Sequence, residues 1–167
     1  NETEVTRHFD ESADDYAAAY ERNSNSGYSF RIRKRRVLEL FDQPGGAVLD
    51  AGCGPGVVVD ELVRGARCEF WGVDVSHQMI SRAEQRYAEW PDVHFAVGRV
   101  EDLDFPSESF DAVLSMGVLE YLTDTVSATR EMYRVLKPGG TLIVTLPNAQ
   151  SPFRIWQRKV WQPILRR

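Results

Sequence analysis

Residues 47–56, Ala47-Val48-Leu49-Asp50-Ala51-Gly52-Cys53-Gly54-Pro55-Gly56, constrain the fold of this chain more than any other stretch. A short apolar strand ends in an acid, then breaks into three glycines spaced two apart, and a helical pattern follows from Val57 to Arg64. Strand, glycine turn and helix in that order build the first crevice of a doubly wound α/β sheet. Ligands of such sheets sit beyond the carboxyl ends of the strands. Glycine has no Cβ, so it takes positive φ and lets a ligand lie directly against the backbone. Asp50, at the strand tip, brings a carboxylate to the same crevice. A dinucleotide fingerprint reads G-x-G-x-x-G, because a pyrophosphate must reach the helix N-terminus. Here the spacing is G-x-G-x-G, which separates this loop from that class.

Three further segments follow at regular distances. Phe70-Trp71-Gly72-Val73-Asp74-Val75-Ser76 is an apolar strand ending in an acid, 22 residues after Gly52. Such a carboxylate can accept from two hydroxyls, although a helix-terminal charge with Ser76 as N-cap explains the same pattern. His94-Phe95-Ala96-Val97-Gly98 reads as a strand, and Arg99-Val100-Glu101-Asp102-Leu103-Asp104-Phe105 follows it as a loop. Phe110 to Met116 is a fourth strand. Val135-Leu136-Lys137-Pro138-Gly139-Gly140 then reads as a helix ending at Lys137, stopped by Pro138 and turned by the glycine pair into the strand 140–146.

Together these segments, over residues 47–146, resemble the class I S-adenosylmethionine-dependent methyltransferases, small-molecule type, similar to the ubiquinone and menaquinone biosynthesis members. The carriers are the loop D-x-G-x-G-x-G from Asp50, the acid Asp74, the loop after the third strand, and Leu136-Lys137-Pro138-Gly139-Gly140. The resemblance implies a Rossmann-like, doubly wound, mostly parallel sheet with helices on both faces, and S-adenosyl-L-methionine as cofactor. It places the cofactor against Asp50, Ala51, Gly52, Gly54 and Gly56, with Asp74 and Val75 at the ribose and Met79 on the adenine face. Met79 also fits a plain core stripe with Ala83 and Tyr87. Two residues depart from the family's G-D-A-E-D-L-P-F loop: Arg99 stands for the usual acid and Asp104 for the proline. Arginine has no acceptor, so adenine recognition falls on backbone near Val100 and on Glu101, or on the guanidinium stacked over the ring.

The tip of the fourth strand would face the methyl-donor end, which brings in Met116, Gly117, Glu120 and Tyr121. Quinone-pathway relatives carry E-x-x-E-H here, whereas this chain reads Gly117-Val118-Leu119-Glu120-Tyr121. The first acid and the histidine are absent, so no metal is expected. Tyr121 is a base candidate with an ordinary pKa of about 10, or a packing residue against the cofactor. The implied reaction moves a methyl group to O or N of a small-molecule acceptor by in-line displacement. Two alternatives stand beside it: a non-catalytic S-adenosylmethionine-binding module or piece of a larger enzyme, and a nicotinamide oxidoreductase, which the glycine spacing disfavours.

Composition sets outer limits. With 167 residues and 43% hydrophobic content, one domain with a sizeable core is expected, comprising N-terminal lid helices (1–41), a cofactor core (42–146) and a C-terminal helix (147–167). No apolar run approaches the ~20 residues of a membrane span, so no stable membrane insertion is expected. Two cysteines form no disulfide framework, and Cys53 inside the loop reads as a small filler, which suits a reducing cytoplasm. Net charge of −5 argues against nucleic acid as a partner. The chain begins at Asn1 and shows five strands of the family's usual seven, so it reads as an excised piece or as one whose sheet edge is completed by another copy.

The flanks carry two patterns. Arg31-Ile32-Arg33-Lys34-Arg35-Arg36 puts five positive charges in six residues, read as a solvated helix face over a buried stripe of Val37, Leu40 and Phe41. Arg31 or Arg33 is the candidate partner for the cofactor's carboxylate. Phe9, Ala13, Tyr16 and Tyr20 recur at helical spacing, predicting a lid across the crevice that brings Tyr16 to the cofactor. Phe153, Ile155, Trp156, Val160, Trp161 and Ile164 form an apolar series among basic residues, read as a sheet-covering helix, a substrate cap or a surface for anionic lipid.

Overall fold

The computed structural model describes residues 2–21, 25–41, 45–66 and 68–148. Two helices, α1 (Glu2–Glu21) and α2 (Asn25–Leu40), precede a five-stranded sheet. The strands are β1 (Ala47–Ala51), β2 (Glu69–Asp74), β3 (Val93–Val97), β4 (Phe110–Ser115) and β5 (Leu136–Val144). Between them run α3 (Val59–Ala66), α4 (His77–Arg86) and α5 (Thr125–Val135), with a 3-10 turn at Leu119–Tyr121. All pairings are parallel and the spatial order is β3-β2-β1-β4-β5. The order reverses beside β1, and that switch point opens the crevice in which open α/β sheets hold ligands.

Parallel strands covered on both faces read as continuous apolar runs, which is why β1 and β4 were visible in the sequence. Alternate residues serve two cores. Val48, Phe70, Ala112 and Leu114 pack with Val37 of α2 and with Val58, Val59 and Leu62 around α3. Leu49, Ala51 and Val113 pack on the opposite face with Ala128, Met132 and Val135 of α5. Truncating a side chain as deeply buried as Phe70 or Leu49 to alanine is expected to cost about 3–5 kcal/mol.

Beside shifts of one or two residues at other strand ends, three boundaries differ from the sequence reading for a local reason. The glycine loop continues as turns through Val58, so α3 starts at Val59, two residues later than the apolar pattern suggests. Helix α5 ends at Val135 rather than Lys137, because Leu136 is already extended and pairs with Phe110. Strand β5 therefore begins before the Pro-Gly-Gly turn. Pairing shifts there and resumes at Thr141 opposite Ala112. Lys137 closes this irregularity by donating to Asp111 Oδ2 at 2.8 Å, an oxygen that also accepts from Ala47 N at 2.8 Å. The lysine and that backbone bond hold the Asp111 carboxyl below the usual range.

The helix stripe on α2 also differs. Val37 is buried and Leu38 and Phe41 pack against the core, but Leu40 is 66% exposed. Around the helix Phe41 and Leu38 fall on one side of Val37 and Leu40 on the other, and the first side faces the core. The basic cluster divides accordingly: Arg35 and Arg36 pair with Glu39 near solvent, while Lys34 pairs with Glu61 of α3 at 2.7 Å. The side chain of Tyr20 and, from residue 149 on, the proposed C-terminal helix (147–167) lie outside the described residues; Pro147 and Asn148 are not helical.

Candidate functional site

The site is built where the glycine loop hangs from the end of β2. Gly52 N and Cys53 N both donate to Val73 O, at 2.7 and 3.0 Å. Gly54 N donates to Asp74 Oδ2 at 2.8 Å, and Ser76 N donates to Asp74 Oδ1 at 2.9 Å. Two ionised carboxylate oxygens offer about four acceptor positions, so Asp74 keeps capacity for two further donors. Burial raises its pKa, the backbone N–H groups of Ser76, Gly54 and Val75 oppose that rise, and the nearby charge of Asp10 adds to it.

Each glycine of the loop has a different task. At Gly54 (φ +53°) a Cβ would meet, among the described residues, only Tyr16 Cε1, 3.7 Å away, so the space above this residue is open up to α1. At Gly52 (φ +90°) a Cβ would collide with Val118. Gly56 lets α3 and the sheet close: a Cβ there would meet Tyr87 at 2.9 Å, and its carbonyl accepts from the Tyr87 hydroxyl at 3.0 Å. Cys53 is buried, with its thiol pKa raised mainly by burial, as befits a filler rather than a nucleophile.

Asp50 is the electrostatic anomaly. It is 2% exposed, and its Oδ1 has no hydrogen-bond partner among the described residues. Burial, assisted by the charge of Asp74, pushes its pKa up to about 7. A buried carboxylate oxygen without a donor is costly unless the group is protonated or a cation comes near. A sulfonium-bearing amino acid conjugate with its own ammonium supplies such a cation. The orphaned oxygen and the open cradle at Gly54 both fit it.

Around this floor lies a cleft of about 850 Å³, counting its open mouth. Gly52, Gly54, Asp74, Val75 and Met79 line it from the β1 and β2 ends. Gly98, Arg99, Val100 and Glu101 line it after β3, and Met116, Gly117, Val118 and Tyr121 after β4. Val5, Thr6, Phe9 and Tyr16 of α1 close it from above. Of the residues singled out in the sequence, Asp50, Ala51, Gly56, Arg31 and Glu120 do not line it. Ala51 is fully buried in the core, and Glu120 is exposed. Arg33, the second arginine candidate on α2, reaches the loop after β4, where its guanidinium occupies the place a Cβ on Gly117 would take.

Side chains rather than sheet bonds fix the remaining walls. Ser76 caps α4 as the sequence pattern implied, its Oγ accepting from Met79 N at 3.1 Å, and Met79 beneath it is buried. Arg99 points its guanidinium at Glu101, 3.3 Å from Oε1. The loop that follows is clasped by α5: Glu131 Oε2 accepts from Leu103 N at 3.0 Å, and Arg134 donates to the carbonyls of Leu103 and Phe105. On the roof, Phe9 meets Tyr121 edge-on with ring centroids 5.1 Å apart and Tyr16 at 6.1 Å. Tyr121 is 44% exposed at the rim. Val5, Thr6, Leu122 and Thr123 also line the cleft and carried no sequence signal, since each reads as an ordinary helix or turn position.

Comparison with known proteins agrees with this architecture. A sequence model described as "Methyltransferase domain" matches residues 49–144, and the chain belongs to that family of class I S-adenosylmethionine-dependent methyltransferases. It is 35% identical over 128 residues to a 2-methyl-6-phytyl-1,4-hydroquinone methyltransferase of Synechocystis sp., covering 73% of this chain and 40% of that protein. Among solved structures, it resembles a putative methyltransferase in a complex with the Haloferax volcanii Trm112 methyltransferase activator. That match has 30% identity and a TM-score of 0.67, over 80% of this chain and 57% of that one. A third match is the Haemonchus contortus phosphoethanolamine N-methyltransferase 2 solved in complex with S-adenosyl-L-methionine. It has 25% identity and a TM-score of 0.63, covering 81% of this chain and 35% of that one. The chain thus spans roughly two fifths of the length of the curated relative.

Proposed function

We propose that this chain binds S-adenosyl-L-methionine in the cleft and moves its methyl group to O or N of a small-molecule acceptor. The observation that carries the reading is Asp74. Its carboxylate is fixed by Gly54 N and Ser76 N, faces the cleft, and retains capacity for two hydroxyl donors beside an open glycine cradle. On this reading Asp74 accepts from the ribose, Met79 lies against one adenine face, and backbone at Val100 with Glu101 meets the adenine edge. Asp50 sits beneath the loop as the counter-charge to the cationic end. Met116 and Gly117 bound the methyl-bearing end, and Arg33 beside Gly117 replaces Arg31 as the proposed partner of the cofactor's carboxylate.

The cofactor supplies an activated sulfonium methyl, so the protein's work is alignment and exclusion of water. Holding a nucleophile in line is worth roughly 7–11 kcal/mol of the barrier. Phe9, Tyr16 and Tyr121 provide an apolar, ring-lined wall at the open end, which suits an acceptor with an apolar body. Tyr121 serves there as a packing wall more than as a base. The test is transfer of labelled methyl from the cofactor to a panel of phenols, amines and carboxylates by the wild-type chain and by Asp74→Ala. Transfer to one acceptor class, lost in the variant, supports the reading. Cofactor binding with no transfer to any member would favour a binding module that acts within a larger protein.

A further inference from the structure

Asp10 lies on α1, one residue after Phe9 of the roof, and its carboxylate reaches across to the segment after β2. The Ser76 hydroxyl donates to Asp10 Oδ1 at 2.6 Å, and Gln78 N donates to the same oxygen at 3.2 Å. The first distance is that of a charge-assisted bond, about twice as strong as a neutral one. Ser76 is fully buried and serves three neighbours at once. Its N–H donates to Asp74, its Oγ accepts from Met79 N, and its hydroxyl proton goes to Asp10. One residue therefore joins the proposed ribose acceptor, the proposed adenine wall and the roof helix. The charge of Asp10 also raises the pKa of Asp74, so the two carboxylates are electrostatically coupled.

Helix α1 stands outside the sheet layers and packs on α2 and α4. Ring-edge contacts such as Phe9 with Tyr121 add little beyond the area they bury, and Tyr121 itself stands at the exposed rim, so they anchor the helix weakly. Two hydrogen bonds converging on one carboxylate oxygen do fix it. We propose that Asp10 is a positioning residue: through Ser76 it locks the roof helix to the cofactor floor, so that Asp74 and the α1 wall reach their binding places together. This rests on the reading of Asp74 as the ribose acceptor. The ligand chemistry it predicts is specific, because a lock on the ribose acid should be felt by any ligand carrying the adenosine half, charged or not.

The experiment measures calorimetric affinity for S-adenosylhomocysteine and for neutral adenosine, and amide exchange across α1 with and without S-adenosylhomocysteine. Asp10→Ala, which removes the acceptor, is expected to weaken both ligands by about ten-fold, the loss of one charge-assisted bond. Exchange in α1 should then no longer slow on ligand binding. Asp10→Asn keeps an acceptor oxygen and should bind within about three-fold of wild type, as a neutral bond replaces a charged one. Asp10→Lys, which cannot accept either bond, should repeat the alanine result and serves if the alanine variant does not fold. A purely structural role would lower the melting temperature yet leave adenosine affinity and ligand-dependent exchange as in wild type. That outcome overturns the proposal. If Asp74→Ala weakens both ligands while Asp10→Ala and Asp10→Lys do not, only the lock fails. If Asp74→Ala binds as wild type, the ribose reading falls and the lock with it.

Discussion

On the floor of the cleft, Gly52, Cys53, Gly54 and Asp74 are joined by backbone hydrogen bonds at the ends of parallel strands. On its roof, Phe9 meets Tyr16 and Tyr121 through ring edges, and Asp10 supplies a side-chain tie. The floor is buried on both sides by core residues such as Leu49 and Phe70, whereas Tyr121 at the rim is substantially exposed. Groups held by the sheet are preorganised and inherit the stability of the core. Groups held by side chains on an outer helix open at lower free energy, as elements that admit ligands must. The floor therefore suits the invariant half of a reaction, the cofactor, and the roof suits the acceptor.

The sharpest way to break this contrast is Gly54→Val. A branched side chain would fill the open cradle at a residue with φ +53°, and cofactor binding should fall below detection while circular dichroism stays near wild type. Asp74→Ala comes next, with an expected loss of ~1.5–3 kcal/mol in cofactor affinity. Asp74→Asn should lose less, and calorimetric titration ranks the three proteins.

Asp50 makes a pH-dependent claim about the floor. Its folded pKa of about 7 lies well above the ordinary carboxylate range of about 4, so between those values the native state holds a proton that the unfolded chain has released. Its contribution to stability is fully present below pH 4 and is lost as pH rises towards 7. Thermal melts of the free protein should therefore show this term weakening stability from pH 4 to 7, by a few kcal/mol at most. Asp74 shifts in the same direction, so Asp50→Asn should remove only part of the slope. On the roof, Tyr121→Phe should change methyl transfer less than about three-fold, because its ring contacts survive. A large fall in kcat with an altered pH profile would make Tyr121 a base. The smallest effect is expected at Arg99→Ala, below ~1 kcal/mol in cofactor affinity, since its pairing with Glu101 is partly exposed. A ten-fold loss would show that the guanidinium stacks on the ring.

The same contrast decided what was legible in the sequence. Strand tips in a sheet covered on both faces must be apolar runs, and the ligand-facing turn must be glycine, so Asp50, Gly54 and Asp74 stood out by type and spacing. The doubly wound, mostly parallel sheet followed from the same pattern, and the Ser76 cap stood beside it as the alternative to a ligand-binding role for Asp74. The roof was legible only as an apolar helical stripe, which gave Phe9 and Tyr16 but not the residues that tie it down. Asp10 looks like any solvated helix acid until α4 is placed beside it, and Arg33 is indistinguishable from Arg31 without the orientation of α2. Leu40 was misplaced because the angular drift of a helix decides between neighbours that are equally apolar. The early start of β5 was hidden because Lys137-Pro138-Gly139-Gly140 has the composition of a helix stop, whereas it forms an irregularity within a strand.

Calorimetric titration of the wild-type chain with S-adenosyl-L-methionine, beside an identical titration with NAD, tests the central claim most directly. The glycine spacing and the free acceptor capacity of Asp74 call for saturable one-to-one binding of S-adenosyl-L-methionine and no heat of binding from NAD. Binding of NAD with no response to S-adenosyl-L-methionine in the folded protein would contradict the assignment of the cleft.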